Sequence, residues 1–294
     1  MKTVQPGILA PVPRLARHLT FSLKPQSDPA ASLKELGRIA DGEKIVVGIG
    51  QSLALALNVD IAGLKPFPVY VNAGIDIPST PAALWCWLRG DDRGELVHQT
   101  RQLQQLLAPA FLLTGVTDAF QYRDSRDLTG YEDGTENPEG DEALAAAIVQ
   151  GAGQGMDGSS FVAIQQWVHN LTQFQAMPQT TQDHTIGRRK SDNEELDDAP
   201  ESAHVKRTAQ ENFEPEAFVL RRSMPWADAA DEGLVFVAFG RSFDAFEAQL
   251  YRMSGLEDGT PDALFSFTRP VTGSYFWCPP VVEGRLDLKV LGLD

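Results

Sequence analysis

The chain has 294 residues, 40 acidic against 25 basic, for a formal charge of −15. An apolar share of 43% with 22% charged residues belongs to a globular, core-forming chain, and the length exceeds what one core commonly fills, which predicts two domains, 1–150 and 151–294. The acidic balance excludes nucleic acid and anionic membrane surfaces as partners, since both select basic patches.

The opening MKTVQPGILAPVPRL is broken by three prolines and lacks a signal-peptide pattern. No apolar run approaches the roughly 18 residues of a membrane span, so a soluble, cytoplasmic protein is expected. LARHLTFSL (15–23) reads as a strand, and DPAASLKELGRIA (28–40) as a helix opened by Asp28 with Pro29 in its first turn. KIVVGIG (44–50) and the tryptophan-rich ALWCWLRG (83–90) are strand-like. In GELVHQTRQLQQLLAPAF (94–111), Leu96, Leu103, Leu106 and Leu107 recur at helical spacing. FLLTGVTDAFQYRD (111–124) closes the first half as a strand. GDEALAAAIVQGAGQGMDG (140–158) contains five glycines and reads as connector and loop.

The second half repeats the plan in element order, not in letters. SFVAIQQWVHNL (160–171) is a strand, and LTQFQAMPQTTQDHTIGRRK (171–190) a helix broken or ended near Pro178. KSDNEELDDAPESAHVKR (190–207) has no apolar periodicity and reads as a long loop, a feature that is usually functional inside a compact domain. EAFVLRRSMPW (216–226) and GLVFVAFG (233–240) are strands, and RSFDAFEAQLYRM (241–253) is an amphipathic helix with Phe243, Phe246, Leu250 and Met253 on one side. Together the elements imply an α+β architecture, with helices over a mainly antiparallel sheet. Cys86 and Cys278, 192 positions apart in strand-like segments, read as small buried hydrophobes.

Four features could carry chemistry. In GYEDGTENPEG (130–140), Gly130 and Gly134 bracket Asp133, so a tight turn presents a carboxylate; an acidic surface turn would look the same. An EF-hand is excluded, because Pro138 and Leu144 occupy its sixth and twelfth places. His204 lies late in the acidic loop; none of the five histidines is at zinc-site spacing from another, and no GxSxG elbow exists. In EAFVLRRSMPW, alternation places Ala217, Val219, Arg221 and Ser223 on one face and Phe218, Leu220 and Arg222 on the other. One arginine therefore shares a face with apolar residues and needs an anion, either a cross-sheet carboxylate or a ligand in a polar cavity. Finally, GLEDGTPDALFSFTRPVTGSYFWCPP (255–280) joins a turn, Asp262 and a dense aromatic strand, suited to a core or to the wall of a flat apolar ligand.

Taken in order, these pieces resemble the dye-decolourising peroxidase family, across nearly the whole chain. The fingerprint is GxxDG, here Gly130 to Gly134, then a loop histidine preceded by IGRRK (186–190), a strand arginine, and a DALFxFxRPxTGxYxWCP-like segment from Asp262 to Pro279. The short form, with Ser223 two residues after the arginine, is similar to the bacterial porphyrinogen-peroxidase-like branch. The resemblance implies two ferredoxin-like α+β domains of the dimeric α/β-barrel type and a haem b cofactor. It implies His204 as the proximal iron ligand, with Asp262 accepting from its other nitrogen, a partner that fixes the tautomer and favours O–O cleavage. It places Arg221 and Asp133 on the opposite face, the first stabilising charge on the departing oxygen and the second moving the proton, with Ser223 beside them. Arg188 and Asn137 are expected near the haem propionates, and Trp167, Trp226, Tyr251 and Tyr275 are candidate surface relays to bulky dyes.

The implied activity is reduction of hydrogen peroxide with one-electron oxidation of dyes, phenols or porphyrinogens, in a symmetric homo-oligomer. The competing expectation is a haem-handling, iron-removing protein whose peroxidase turnover is incidental. A third, a carboxylate hydrolase using Asp133 and Glu132, is disfavoured because adjacent turn residues seldom converge on one bond. The chain closes at LDLKVLGLD, which leaves docking into a protein shell through a tail without support.

Overall fold

The computed structural model describes residues 4–71 and 73–293. Its first half runs α1 (Pro6–Leu9), β1 (Leu15–Leu23), α2 (Ala30–Ile39), β2 (Ile45–Ile49), α3 (Gln51–Ala56), β3 (Leu84–Gly90), α4 (Arg93–Leu107) and β4 (Phe111–Phe120). The second half runs α5 (Gly140–Ala147), β5 (Ser160–His169), α6 (Leu171–Ala176), α7 (Gln179–Ile186) and α8 (His204–Thr208). It continues with β6 (Leu220–Arg221), β7 (Met224–Ala227), β8 (Glu232–Gly240), α9 (Asp244–Met253), β9 (Thr268–Pro270) and β10 (Ser274–Cys278).

Local chemistry sets the boundaries. Asp28 Oδ1 accepts from the Ala30 amide at 2.9 Å just before α2. Asp92 caps α4 by accepting from the Glu95 amide at 3.0 Å. Pro178 separates α6 from α7. Three segments depart from the sequence expectation. The glycine-rich connector opens with α5, because Glu142 and the alanines of DEALAAA favour helix and the later glycines follow it. The loop 190–207 ends in the first turn of α8, with His204 as its first residue. The strand expected over 216–226 is two short pieces: Val219 N donates to Gln210 Oε1 instead of to a strand, and the Ser223 hydroxyl accepts the Val237 amide at 3.3 Å between β6 and β7.

Pairing follows β1–β3–β2–β10–β5–β8–β7–β4 and returns from β4 to β1, so eight strands form a closed antiparallel ring. The halves meet at Ile49 opposite Trp277 and at Ala119 opposite Trp226. Within the ring the first half contributes β4–β1–β3–β2 and the second β10–β5–β8–β7, the same order by position in each half. Alternation then divides the core. Ala16, Val46, Trp85, Trp87, Val162, Val235, Val237 and Phe276 fill the inside of the ring. Leu19, Phe21, Val47, Cys86 and Trp277 point outward, under Leu33 and Leu36 of α2 and Leu96, Leu103 and Leu107 of α4. Cys86 and Cys278 are free and buried, and burial pushes both thiols well above their ordinary pKa. Among the described residues no helix is long and apolar enough to cross a membrane.

Candidate active site

A cavity lies between the outer face of the second-half strands and the helices over them. β5 contributes Gln165, Trp167 and His169 at period two, β8 contributes Leu234 and Phe236, and α9 contributes Phe246, Gln249, Leu250 and Met253 at helical spacing. The turn 129–137 closes a further side. His204 and Arg221, 17 positions apart in the chain, both line this one space.

His204 is held from behind. Its Nδ1 lies 2.7 Å from Asp262 Oδ2, and the Asp262 side chain is fully buried. Asp262 Oδ1 accepts from the Leu264 amide at 2.8 Å, so each carboxylate oxygen has a donor. With Nδ1–H donated to a carboxylate, the electron pair of the neutral ring resides on Nε2. Ala263 N donates to Ser202 O at 2.8 Å and Arg207 forks onto Asp258 at 2.8 and 2.9 Å, tying the segments that carry the histidine and the aspartate to each other.

The opposite wall is built from the turn and β6. Gly134 adopts φ +75°, and a Cβ there would come within 2.6 Å of Asn137 Nδ2, so the tight turn requires glycine. Asn137 Oδ1 accepts from the Arg221 amide at 2.7 Å and its Nδ2 donates to Arg221 O at 3.2 Å. Asp133 Oδ1 meets Arg221 Nη2 directly. Burial pushes the Arg221 pKa down to about 10, opposed by the charge of Asp127, so the guanidinium stays protonated at neutral pH. Its Nε is buried without a partner, and its Cζ stands 5.6 Å from the centre of the Phe236 ring. Arg222 points away, donating to Ile8 O and Leu9 O, so the two arginines diverge as alternation predicts.

Of the residues singled out from sequence, His204, Asp133, Arg221, Asn137 and Arg188 line the cavity, and Asp262 stands directly behind His204. Ser223 does not line it: the break after β6 turns it into an adjoining hollow that also touches Asp133 and Arg221. Asn137 has both ends of its amide engaged by the Arg221 backbone, which makes it a clamp on β6 and not a free polar contact. Arg188 is paired with Glu136 and Glu195 and donates to Asn193 O. The four aromatics expected at the surface divide. Trp167, Trp226 and Tyr275 are buried, and Tyr251 is 46% exposed. Trp226 Nε1 donates to Trp167 O, and Tyr275 stacks on Phe243 at 3.8 Å, so packing holds them inside. The cavity also contains Asp127, His169 and Thr268, none singled out from sequence. Asp127 and Thr268 carry no sequence signal of their own, and a lone histidine ending a strand reads as an ordinary core or surface residue.

The chemistry of this donor set is narrow. Among the described residues no group of three or more His, Cys, Asp or Glu is placed to hold a bare metal ion. The cavity instead offers in His204 an imidazole held at Nδ1 by a carboxylate, apolar walls from Phe236, Phe246, Leu250, Met253, Leu264 and Phe267, and the Asp133–Arg221 charge pair. That set fits a flat apolar group carrying its own metal, which His204 would hold.

Comparison with known proteins agrees. The model of the C-terminal region of Dyp-type peroxidases matches residues 124–283, more than half of the chain. The dye-decolorizing peroxidase of Rhodococcus erythropolis is 31% identical over 248 residues, 82% of this chain and 73% of that protein. That of Mycobacterium tuberculosis is 28% identical over 224 residues, 74% of this chain and 67% of the relative. A DypB variant of Rhodococcus jostii RHA1, solved in complex with haem, has a TM-score of 0.85 at 26% identity and covers 92% of this chain and 94% of its own. With one family model over the site-bearing half and relatives along most of its length, the chain belongs to the Dyp-type peroxidase family.

Proposed function

We propose that this chain binds haem b in the cavity through His204 and reduces hydrogen peroxide to water, taking single electrons from small aromatic or porphyrin reductants. The observation that carries the reading is that one cavity is lined by both a carboxylate-backed imidazole and an arginine–aspartate pair. It is supported by the haem complex of the Rhodococcus jostii relative. When bound, haem supplies the iron at which peroxide is cleaved and the oxidising equivalents are held.

The protein's part is orientation, charge and proton movement. Asp262 fixes the His204 ring with Nε2 toward the cavity and makes it a stronger donor. Asp133 takes the proton from the incoming peroxide on a carboxylate oxygen and gives it to the departing oxygen. Arg221 holds that carboxylate through their direct contact and offsets the charge on the departing oxygen. A haem carrier has no use for such a pair, which favours turnover over carriage or iron removal. Ser223, behind Asp133, would act on the turn and not on peroxide. Arg188, which would have to share its guanidinium with Glu136 and Glu195, is the residue proposed for a propionate; Asn137 contributes by holding β6.

The two halves, 1–150 and 151–294, read as ferredoxin-like domains on the strength of their matching strand order. The family resemblance also favours a cytoplasmic homo-oligomer. The deciding experiment is haem titration of the unmodified chain, His204→Ala and Asp262→Asn, followed by the Soret band. His204→Ala is expected to abolish stoichiometric, axially ligated binding, and Asp262→Asn to weaken it roughly 10-fold or more. An unchanged Soret band per chain in His204→Ala removes His204 as the ligand.

A further inference from the structure

His169, at the end of β5, lines the same cavity, and the proposed peroxide chemistry does not use it. Its ring is 6% exposed, and both its nitrogens are engaged. Nδ1 lies 2.6 Å from Thr268 Oγ1, whose own hydroxyl donates to Val168 O at 3.0 Å. With that hydroxyl pointed at Val168 O, the Thr268 oxygen accepts and Nδ1 carries a hydrogen. Nε2 lies 3.0 Å from Asp127 Oδ2, while Asp127 Oδ1 accepts from both the amide and the hydroxyl of Thr129 at 2.8 and 2.6 Å. Both ring nitrogens thus face oxygens without a hydrogen of their own to offer. The geometry closes only if a proton lies between Nε2 and Oδ2, beyond the one on Nδ1.

Energetics point the same way. Burial pushes Asp127 up, but its bonds to His169 and Thr129, together with the charge on His169, outweigh burial and hold it below the usual carboxylate value. The other charged groups lining the cavity are Arg188 and Arg221 and the carboxylates Glu132, Asp133, Glu136, Glu195 and Glu211, with His204 as a further imidazole. Asp127 acts on Arg221 through its charge, which places the pair electrically within the site.

The peroxide reaction needs such a store. Reducing one peroxide to two waters consumes two electrons and two protons from outside, and an electron arriving through the protein brings no proton. We propose that Asp127 and His169 hold a shared proton at the cavity wall and release it to the forming water when a reductant delivers an electron alone. His169 then regains one proton from solvent for each electron, so charge and atoms balance over the cycle. This rests on the peroxidase reading above, but its first test does not.

That test uses the full chain without haem, labelled with ¹⁵N-histidine. At neutral pH both His169 ring nitrogens are expected to read as protonated, and Asp127→Asn to leave one bare. A bare ring nitrogen in the unmodified chain overturns the proposal. The second test uses haem-loaded protein with two donors: ferrocyanide, which carries no proton, and a phenol, which does. His169→Gln keeps a donor toward Asp127 but cannot release a proton. It should cut ferrocyanide turnover roughly 10-fold and phenol turnover about 3-fold or less. Equal loss with both donors marks a merely structural role, and no loss with ferrocyanide marks none; either result sinks the proposal. If His169→Gln fails to fold, Asp127→Asn is read the same way. An unmodified chain that turns over neither donor refutes the peroxidase reading instead, with the nitrogen spectra still deciding the shared proton.

Discussion

Asp133 and Arg221 face each other as one charge pair, yet their losses are not equivalent. Without Arg221, Asp133 loses the guanidinium that it touches, and the cavity loses the fixed positive charge that would face the departing oxygen. Without Asp133, Arg221 remains charged and still stabilises the departing oxygen, and a solvent base can take the proton at lower efficiency. We expect Arg221→Ala to lower kcat/KM for peroxide roughly 100-fold to 1000-fold, and Asp133→Ala less, at equal haem loading. An arginine variant with intact turnover reverses the order. These two residues were legible in the sequence because each broke a local rule: a carboxylate between turn glycines, and a guanidinium on an apolar strand face. His169 was not, because a lone histidine ending a strand looks like an ordinary core or surface residue until its two partners, 42 and 99 positions away, are known.

The elements of the site owe their placement to side chains that act as substitutes for backbone. Asn137 pairs with both polar groups of Arg221 as a neighbouring strand would, so a turn and the two-residue β6 behave as one unit. Gln210 does the same one step earlier, accepting from Val219 N. Long elements such as β1, β5, β8 and α4 could be read from periodicity alone, since burial on one face is what periodicity encodes. The break between β6 and β7 could not, because alternation over 217–223 is also that of an unbroken strand, and what interrupts it is the Ser223 hydroxyl taking a ladder amide. Asn137→Ala removes two part-buried hydrogen bonds with the Arg221 backbone. It should destabilise the protein by about 1–3 kcal/mol in urea unfolding. Because Arg221 is then positioned by β8 alone, turnover should fall with little change in haem affinity. A variant that loses haem affinity in parallel would mean that Asn137 touches the cofactor after all.

Closing the sheet into a ring gives the molecule an interior that helices do not cover, filled by side chains whose polar atoms have few partners. Which strands join the halves was not legible, because Ile49 against Trp277 and Ala119 against Trp226 are pairings between ordinary apolar residues far apart in sequence. One consequence is measurable. His18 of β1 sits inside the ring against Trp85 and Trp87, at ring-centre distances of 5.8 and 6.0 Å, and among the described residues neither of its nitrogens has a partner. Burial pushes its pKa down to about 3, with the charge of Asp118 opposing. The folded state therefore keeps the ring neutral, while the unfolded chain protonates it at the ordinary value of 6.5. Below that value the unfolded state binds the extra proton, so stability falls with decreasing pH by up to about 1.4 kcal/mol per unit, down to the folded value. His18→Leu keeps an apolar side chain against the tryptophans and removes the site of uptake. Urea midpoints measured from pH 8 to pH 4 should then decline less steeply in the variant, by the equivalent of roughly one proton. Parallel curves would mean that His18 is already protonated in the folded ring, with a partner for the charge inside it.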